Sequence, residues 1–336
     1  MRSSIGIFAA VATLATPAAQ AASSCRLQSL GELPLTLRDG HLFVDVRIDG
    51  RPARMVLASG AFTTELSHPG AAALDLNARP ISAVELAQAY GAGAEPDAAV
   101  ARVATFQLGA LVARNLYLPV VGNPPPGDAQ GILGPDFLAQ ADVEFDVPAG
   151  RLRFFKSKGC KGDDVVYWGQ AYSSAPMTGS DAGRHIRVTV QANGVPIVAE
   201  LDTGSGHSVM TERAAEWAEV TPQEGVVSVA DPGGAGPTSV PTYVGVLKTL
   251  AFGDEIIRNA KLEIADRFDM SGTAETGIRP LEPEVDPPGI RLGADFFRAH
   301  RVYVAPGQRT VYISYEGGRV FKTRVAATLS APRPAP

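Results

Sequence analysis

Cysteine is scarce in this chain: Cys25 and Cys160 are the only two in 336 residues. Two thiols cannot build a disulfide-dense mini-fold or a Cys-based zinc cluster. The five histidines, His41, His68, His185, His207 and His300, show no metal-ligand spacing, so no metal and no cofactor is expected. Charge is also sparse, at 19% of residues, with 30 Lys plus Arg against 35 Asp plus Glu and a net charge of −5. Such a balance offers no bulk attraction for nucleic acid or an anionic membrane. Neither a basic–aromatic stripe nor a Gly-rich phosphate loop between strand and helix is present, which removes nucleic acid from the expected partners. No stretch approaches the roughly 20 consecutive apolar residues of a spanning helix.

Glycine and proline are abundant, 35 and 26 residues, which favours many turns and short strands over long helices. Residues 1–21 read as a signal peptide: Arg2 gives a positive start, Ile5 to Thr16 an apolar run, and Ala19-Gln20-Ala21 a cleavage pattern. A periplasmic or secreted product is therefore expected. In an oxidising compartment Cys25 and Cys160 would pair, the alternative being two buried thiols; a bridge would clip the N-terminal arm to the end of a first domain.

The chain repeats itself. Asp49-Gly50-Arg51-Pro52 matches Asn193-Gly194-Val195-Pro196, and Leu57-Ala58-Ser59-Gly60-Ala61 matches Leu201-Asp202-Thr203-Gly204-Ser205, both at an offset of 144. Leu108-Gly109 with Phe252-Gly253 and Arg114-Asn115 with Arg258-Asn259 keep that offset. Gly134-Pro135-Asp136-Phe137 matches Gly293-Ala294-Asp295-Phe296 at 159, which places an insertion in the second copy between Arg267 and Gly289. Each copy reads as β, with alternating runs ending at Asp-Gly or Asn-Gly hairpin dipeptides. Short helices are expected around Ala71 to Leu74 and Glu212 to Ala218. The expected organisation is a first lobe over 30–157, a linker over 158–183, a second lobe over 184–320 and a disordered tail over 321–336.

One motif carries chemistry. Val198-Ala199-Glu200-Leu201 is an apolar strand running into Asp202-Thr203-Gly204-Ser205. Together with the repeat and the Ile132-Leu133-Gly134-Pro135-Asp136-Phe137 element, this resembles the retropepsin-like and pepsin-like aspartyl proteases with two fused lobes. The resemblance implies an all-β fold of two homologous lobes forming a pseudo-dimer within one monomeric chain. It implies an extended peptide or protein as substrate or ligand, and Asp202 as a catalytic carboxylate. Thr203, Gly204, Ser205, Ser59 and Gly60 would support the active-site loops, with Ser59 and Thr203 bonding across the lobe interface. The Gly-rich segments Tyr90-Gly91-Ala92-Gly93 and Pro232-Gly233-Gly234-Ala235-Gly236 would be flap hairpins.

Ala58 departs from this pattern, because the family has Asp there. Its chemistry uses two carboxylates about 3 Å apart that share one proton, one acting as base on water and the other as acid toward the carbonyl oxygen. A methyl group can neither hold nor accept a proton. Loss of one positioned acid–base partner removes about 10²–10⁴-fold of rate. Hydrolysis by an Asp202-activated water is therefore expected to be weak or lost, with a catalytically silent peptide- or partner-binding protein as the alternative.

Overall fold

The structure is a computed structural model that describes residues 25–90, 97–122, 125–160, 162–179, 185–229, 240–265, 287–321 and 323. Residues 1–21, read above as a signal peptide, the tips of both Gly-rich segments and most of the insertion lie outside them, as do 322 and 324–336 of the expected tail.

The first lobe contains β1 (Arg26–Arg38), β2 (His41–Ile48), β3 (Arg51–Leu57), β4 (Glu65–Leu66), β5 (Ala78–Pro80), β6 (Ala99–Leu108), β7 (Leu111–Val120), β8 (Gly131–Leu133), β9 (Asp142–Asp146) and β10 (Arg151–Lys158). Its short helices are α1 (His68–Ala73), α2 (Ala83–Tyr90) and α3 (Pro135–Leu138). The second lobe contains β11 (Ser173–Pro176), β12 (Arg187–Ala192), β13 (Val195–Leu201), β14 (Val209–Met210), β15 (Pro222–Val229), β16 (Val240–Phe252), β17 (Glu255–Ile264), β18 (Ile290–Leu292), β19 (His300–Ala305) and β20 (Thr310–Tyr315). With them come α4 (Glu212–Trp217) and α5 (Ala294–Phe297).

Each lobe closes a six-stranded barrel. In the first, the order β2-β3-β8-β4-β7-β6 is closed by β6 on β2; in the second, β12-β13-β18-β14-β17-β16 is closed by β16 on β12. Closure leaves the barrel strands without free edges. The Asp-Gly and Asn-Gly dipeptides turn the first hairpin of each barrel, where Asp49 and Gly50 have φ of 49° and 79°, and Asn193 and Gly194 of 51° and 84°. Both Asx side chains then anchor the neighbouring strand: Thr105 N donates to Asp49 Oδ1 and Thr249 N to Asn193 Oδ1. The 144-residue offset is thus a repeat of hydrogen bonds as well as of letters.

A second sheet joins the lobes, in the order β11-β20-β19-β9-β10-β1. Its centre is the antiparallel β9–β19 pair, with Phe145 opposite Val302 and Tyr303 opposite Glu144. Phe145 meets Phe297 edge-on at 5.4 Å, and both are fully buried. A buried ion cluster crosses the same seam: Arg153 pairs with Glu144 and with Asp146 (3.0 Å), while Arg301 reaches Asp146 at 3.3 Å. Shared strands and shared charges fix the relative placement of the lobes, which an active site built from both requires. Cys25 and Cys160 form a disulfide across the outer ends of β1 and β10, closing 135 residues.

Three details add to the sequence reading. Within the stretch read as a linker, Ser173–Pro176 forms β11, the edge strand beside β20. Gly91-Ala92-Gly93 of the first Gly-rich segment lie outside the described residues; before them β5 pairs with β6, and α2, between the two in the chain, ends at Tyr90, whose hydroxyl donates to Tyr117 O at 2.9 Å. Phe321, placed in the tail by sequence, is buried and stacks against Phe296.

Candidate active site

Two loops meet on the pseudo-twofold axis between the barrels. Each follows an apolar strand, β3 or β13, that runs parallel to the Gly-preceding strand β8 or β18. The strand ends are pinned in the same way, with Ala58 N donating to Leu133 O and Asp202 N to Leu292 O.

Ser59 and Thr203, both fully buried, interlock across the axis. Ser59 N donates to Thr203 Oγ1 (2.9 Å) and Thr203 N to Ser59 Oγ (3.0 Å). Each hydroxyl then donates onward into the other lobe, Ser59 Oγ to Leu201 O and Thr203 Oγ1 to Leu57 O, both at 2.8 Å. Four buried bonds satisfy two hydroxyls and two amides with no water required, which fixes the loops to a single separation.

Asp202 is 5% exposed and lies on this axis. Its Oδ1 accepts from Gly204 N (2.8 Å) and, across the interface, from Gly60 N (3.1 Å). Its Oδ2 accepts from Ser205 Oγ (2.8 Å) and lies 3.5 Å from Arg291 Nε. Gly60 permits this approach, since a Cβ there would stand 2.4 Å from Asp202 Cγ. Gly204 makes the twofold-related approach to Ala58, whose Cβ would be 2.7 Å from a Cβ added at 204. The position facing Asp202 is therefore filled by a methyl, packed in an apolar cluster with Phe43, Val56, Ala61, Ala129 and Ile132.

Several supporting residues were not legible in the sequence as such. Asp136 and Asp295, in the Gly-x-Asp-Phe elements, accept from the hydroxyls of Thr64 and Ser208 at 2.6 Å, and those hydroxyls accept from Gly134 N and Gly293 N. Burial pushes the Asp136 carboxyl up from its ordinary range, against the Thr64 hydrogen bonds that favour the ion. His41 reaches from the first lobe to the second-lobe loop beside Gly204 and His207, and burial holds its imidazole below the ordinary histidine range. Arg291 is the residue of most consequence that sequence reasoning passed over. Its signal was available: at the 159 offset it replaces Ile132.

Glu200, two residues before Asp202, is 2% exposed and accepts from Arg187 Nε (3.0 Å) and Nη2 (2.9 Å). Burial alone would raise its carboxyl; His185, Arg291 and Arg187 outweigh that and bring it down to about 2. Among the described residues no group of three or more His, Cys, Asp and Glu side chains could hold a metal ion, and no helix is long and apolar enough to cross a membrane.

Two family models match the chain in tandem. The model described as "gag-polyprotein putative aspartyl protease" covers residues 44–140, and the model described as "Aspartyl protease" covers residues 188–296. No curated protein sequence matches the chain. Each match spans the core of one barrel and includes its axial loop, Ala58-Ser59-Gly60 in the first and Asp202-Thr203-Gly204 in the second. With two six-stranded barrels in tandem and two matching models, the chain belongs to the retropepsin-like aspartyl protease family, as a two-lobed member.

Proposed function

We propose that this protein is an exported, peptidase-like protein that holds an extended peptide or a partner protein in the cleft between its lobes, with peptide-bond hydrolysis weak or lost. The observation that carries this reading is the axial pair itself. One carboxylate, Asp202, faces the methyl of Ala58, while the grip of Ser59 on Thr203 is kept in full. General acid–base hydrolysis of an amide needs one group to activate water and another to protonate the carbonyl oxygen. Asp202 can fill only one of those roles at a time. Retention of both loops, both barrels and the joining sheet supports a continuing use for the cleft. Export is supported by the sequence of residues 1–21 and by the disulfide, a bond that persists in oxidising compartments.

The test uses the chain lacking residues 1–21, incubated with a mixed peptide library from about pH 3 to 7 beside an Asp202→Asn variant. Asp202-dependent cleavage is expected to be absent or weak, about 10²-fold or more below that of a two-carboxylate site, and peptides should be retained by both proteins in equilibrium binding. Efficient cleavage that disappears in Asp202→Asn would instead make the protein a working peptidase with a single carboxylate.

A further inference from the structure

The two lobes differ at more than one position on the face that holds Asp202. In the second lobe β12, β13 and β18 lie side by side, with Arg187 opposite Glu200 and Glu200 opposite Arg291. Paired residues of adjacent strands project from the same face. The result is a run of alternating charge, Arg187–Glu200–Arg291–Asp202, ending on Ser205, whose Oγ lies 3.5 Å from Arg291 Nη1. At the repeat offsets the first-lobe counterparts of Arg187, Glu200, Asp202, Ser205 and Arg291 are Phe43, Val56, Ala58, Ala61 and Ile132. All five belong to one apolar cluster. A polar network in one lobe thus stands where a continuous apolar cluster stands in the other. Ala58 is one member of that exchange rather than an isolated change.

We propose that Arg291 is a second, independent block on catalysis: its guanidinium locks Asp202 in an ion pair, so that restoring the missing carboxylate at position 58 alone does not restore hydrolysis. This rests on reading the site as silent. An ionised carboxylate has about four lone-pair sites. On Asp202 two are taken by the amides of Gly60 and Gly204 and one by Ser205 Oγ, while Arg291 Nε stands 3.5 Å from Oδ2 as a charge contact rather than a hydrogen bond. The one acceptor position left on Oδ2 faces that guanidinium, which competes with a water for it.

Charge leads to the same result. Two carboxylates at contact share a proton because both cannot be ionised there. A guanidinium beside them supplies the compensating positive charge instead, and it cannot give a proton to a carbonyl oxygen, since arginine stays protonated in proteins. An aspartate placed at 58 would then join a second anion and a fixed cation, with no acid between them. On its other side Arg291 stands in register with Glu200, which is clamped by Arg187 and whose carboxyl the charges of His185, Arg291 and Arg187 bring down to about 2. Arg291 acts through Asp202, so it is a positioning residue.

The experiment compares Ala58→Asp, Arg291→Ile, Ala58→Asp/Arg291→Ile and Ala58→Asp/Arg291→Lys, each checked for folding by circular dichroism and thermal unfolding. Isoleucine is the residue the first lobe carries at the matching position, and Glu200 keeps Arg187 when Arg291 is removed. Two readouts are taken: cleavage of the peptide library from about pH 3 to 7, and calorimetric binding of a peptide isostere with a hydroxyl in place of the scissile carbonyl. That hydroxyl bonds to a proton-sharing carboxylate pair. The Ala58→Asp/Arg291→Ile protein should exceed either single variant by about 10²-fold or more in kcat/KM, the scale of one positioned acid–base partner. It should also bind the isostere about 10²-fold more tightly, the lower end of transition-state analogue selectivity. The Ala58→Asp/Arg291→Lys protein should stay at the level of Ala58→Asp, because the cation is kept.

Equal activity of Ala58→Asp and the Ile double variant overturns the role of Arg291 while leaving the silent reading intact. A folded Ile double variant that neither cleaves nor binds the isostere overturns it as well. Efficient Asp202-dependent cleavage by the natural chain overturns the silent reading itself, and so the two failures are told apart.

Discussion

Replacing Ser59 by alanine tests the interlock on which the site depends. The change removes an oxygen that is fully buried, accepts from Thr203 N at 3.0 Å and donates to Leu201 O at 2.8 Å. It adds no bulk and leaves the Ser59 N to Thr203 Oγ1 bond in place. The Thr203 amide and one lone pair of the Leu201 carbonyl are left without this partner in a region closed to water. Stranding a buried polar group costs about 1–3 kcal/mol, so the pair amounts to about 2–6 kcal/mol. For a chain of this length about 2 °C accompanies each kcal/mol, giving a fall in Tm of about 4–12 °C. The assay is urea unfolding with thermal unfolding alongside, on the natural chain, Ser59→Ala, Ser59→Thr, Thr203→Val and the Ser59→Ala/Thr203→Val pair. Threonine keeps the hydroxyl and is expected to stay within about 1 kcal/mol of the natural chain. The double variant should depart from additivity by at least about 0.5 kcal/mol, as residues bonded to each other do. A Ser59→Ala cost below about 0.5 kcal/mol at unchanged m-value, or strict additivity with Thr203→Val, would refute the reasoning that these hydroxyls hold the loops together.

Three other predictions address the frame and the network beside Asp202. Arg153→Met strands Glu144 and Asp146, whose side chains are 0% and 1% exposed, and should cost about 3–5 kcal/mol by denaturant unfolding; a cost under 1 kcal/mol would mean that Tyr167 and Arg301 already suffice for those carboxylates. Replacing both Cys25 and Cys160 by serine opens a 135-residue loop and should lower stability by about 2–5 kcal/mol, read from urea midpoints, with the barrels intact by circular dichroism. Glu200 has a folded-state carboxyl at about 2, below its ordinary value of 4.5, so its contribution is fully present above about pH 4.5 and is lost as the pH falls toward 2. Tm measured between pH 5 and 2 should therefore drop less steeply in Glu200→Gln than in the natural chain, and parallel curves would refute that account.

Much of this protein was legible because its second half restates its first. The constant offset linking Asp49-Gly50 to Asn193-Gly194 and Ala58-Ser59-Gly60 to Asp202-Thr203-Gly204 carries the duplication and the paired loops, and the alternating runs that end at those dipeptides carry the β character. Local chemistry suffices for such features: an Asp-Gly dipeptide between alternating runs turns a hairpin wherever it occurs. The missing carboxylate at 58 was equally visible, since a methyl cannot hold a proton in any fold.

What the chain could not announce is what strand order brings together. Ser173–Pro176 carries no strong strand signal, yet it completes the joining sheet because the exposed edge of β20 offers it partners. Glu200, Arg291 and Arg187 are separated by up to 104 residues, and their single line of charge exists only because β12, β13 and β18 are neighbours in register. Sequence determined the two barrels, the paired loops and the absence of one acid. Tertiary structure alone decided that the remaining acid sits against an arginine, because side chains far apart in sequence interact only where strand pairing and burial put them within a few ångströms.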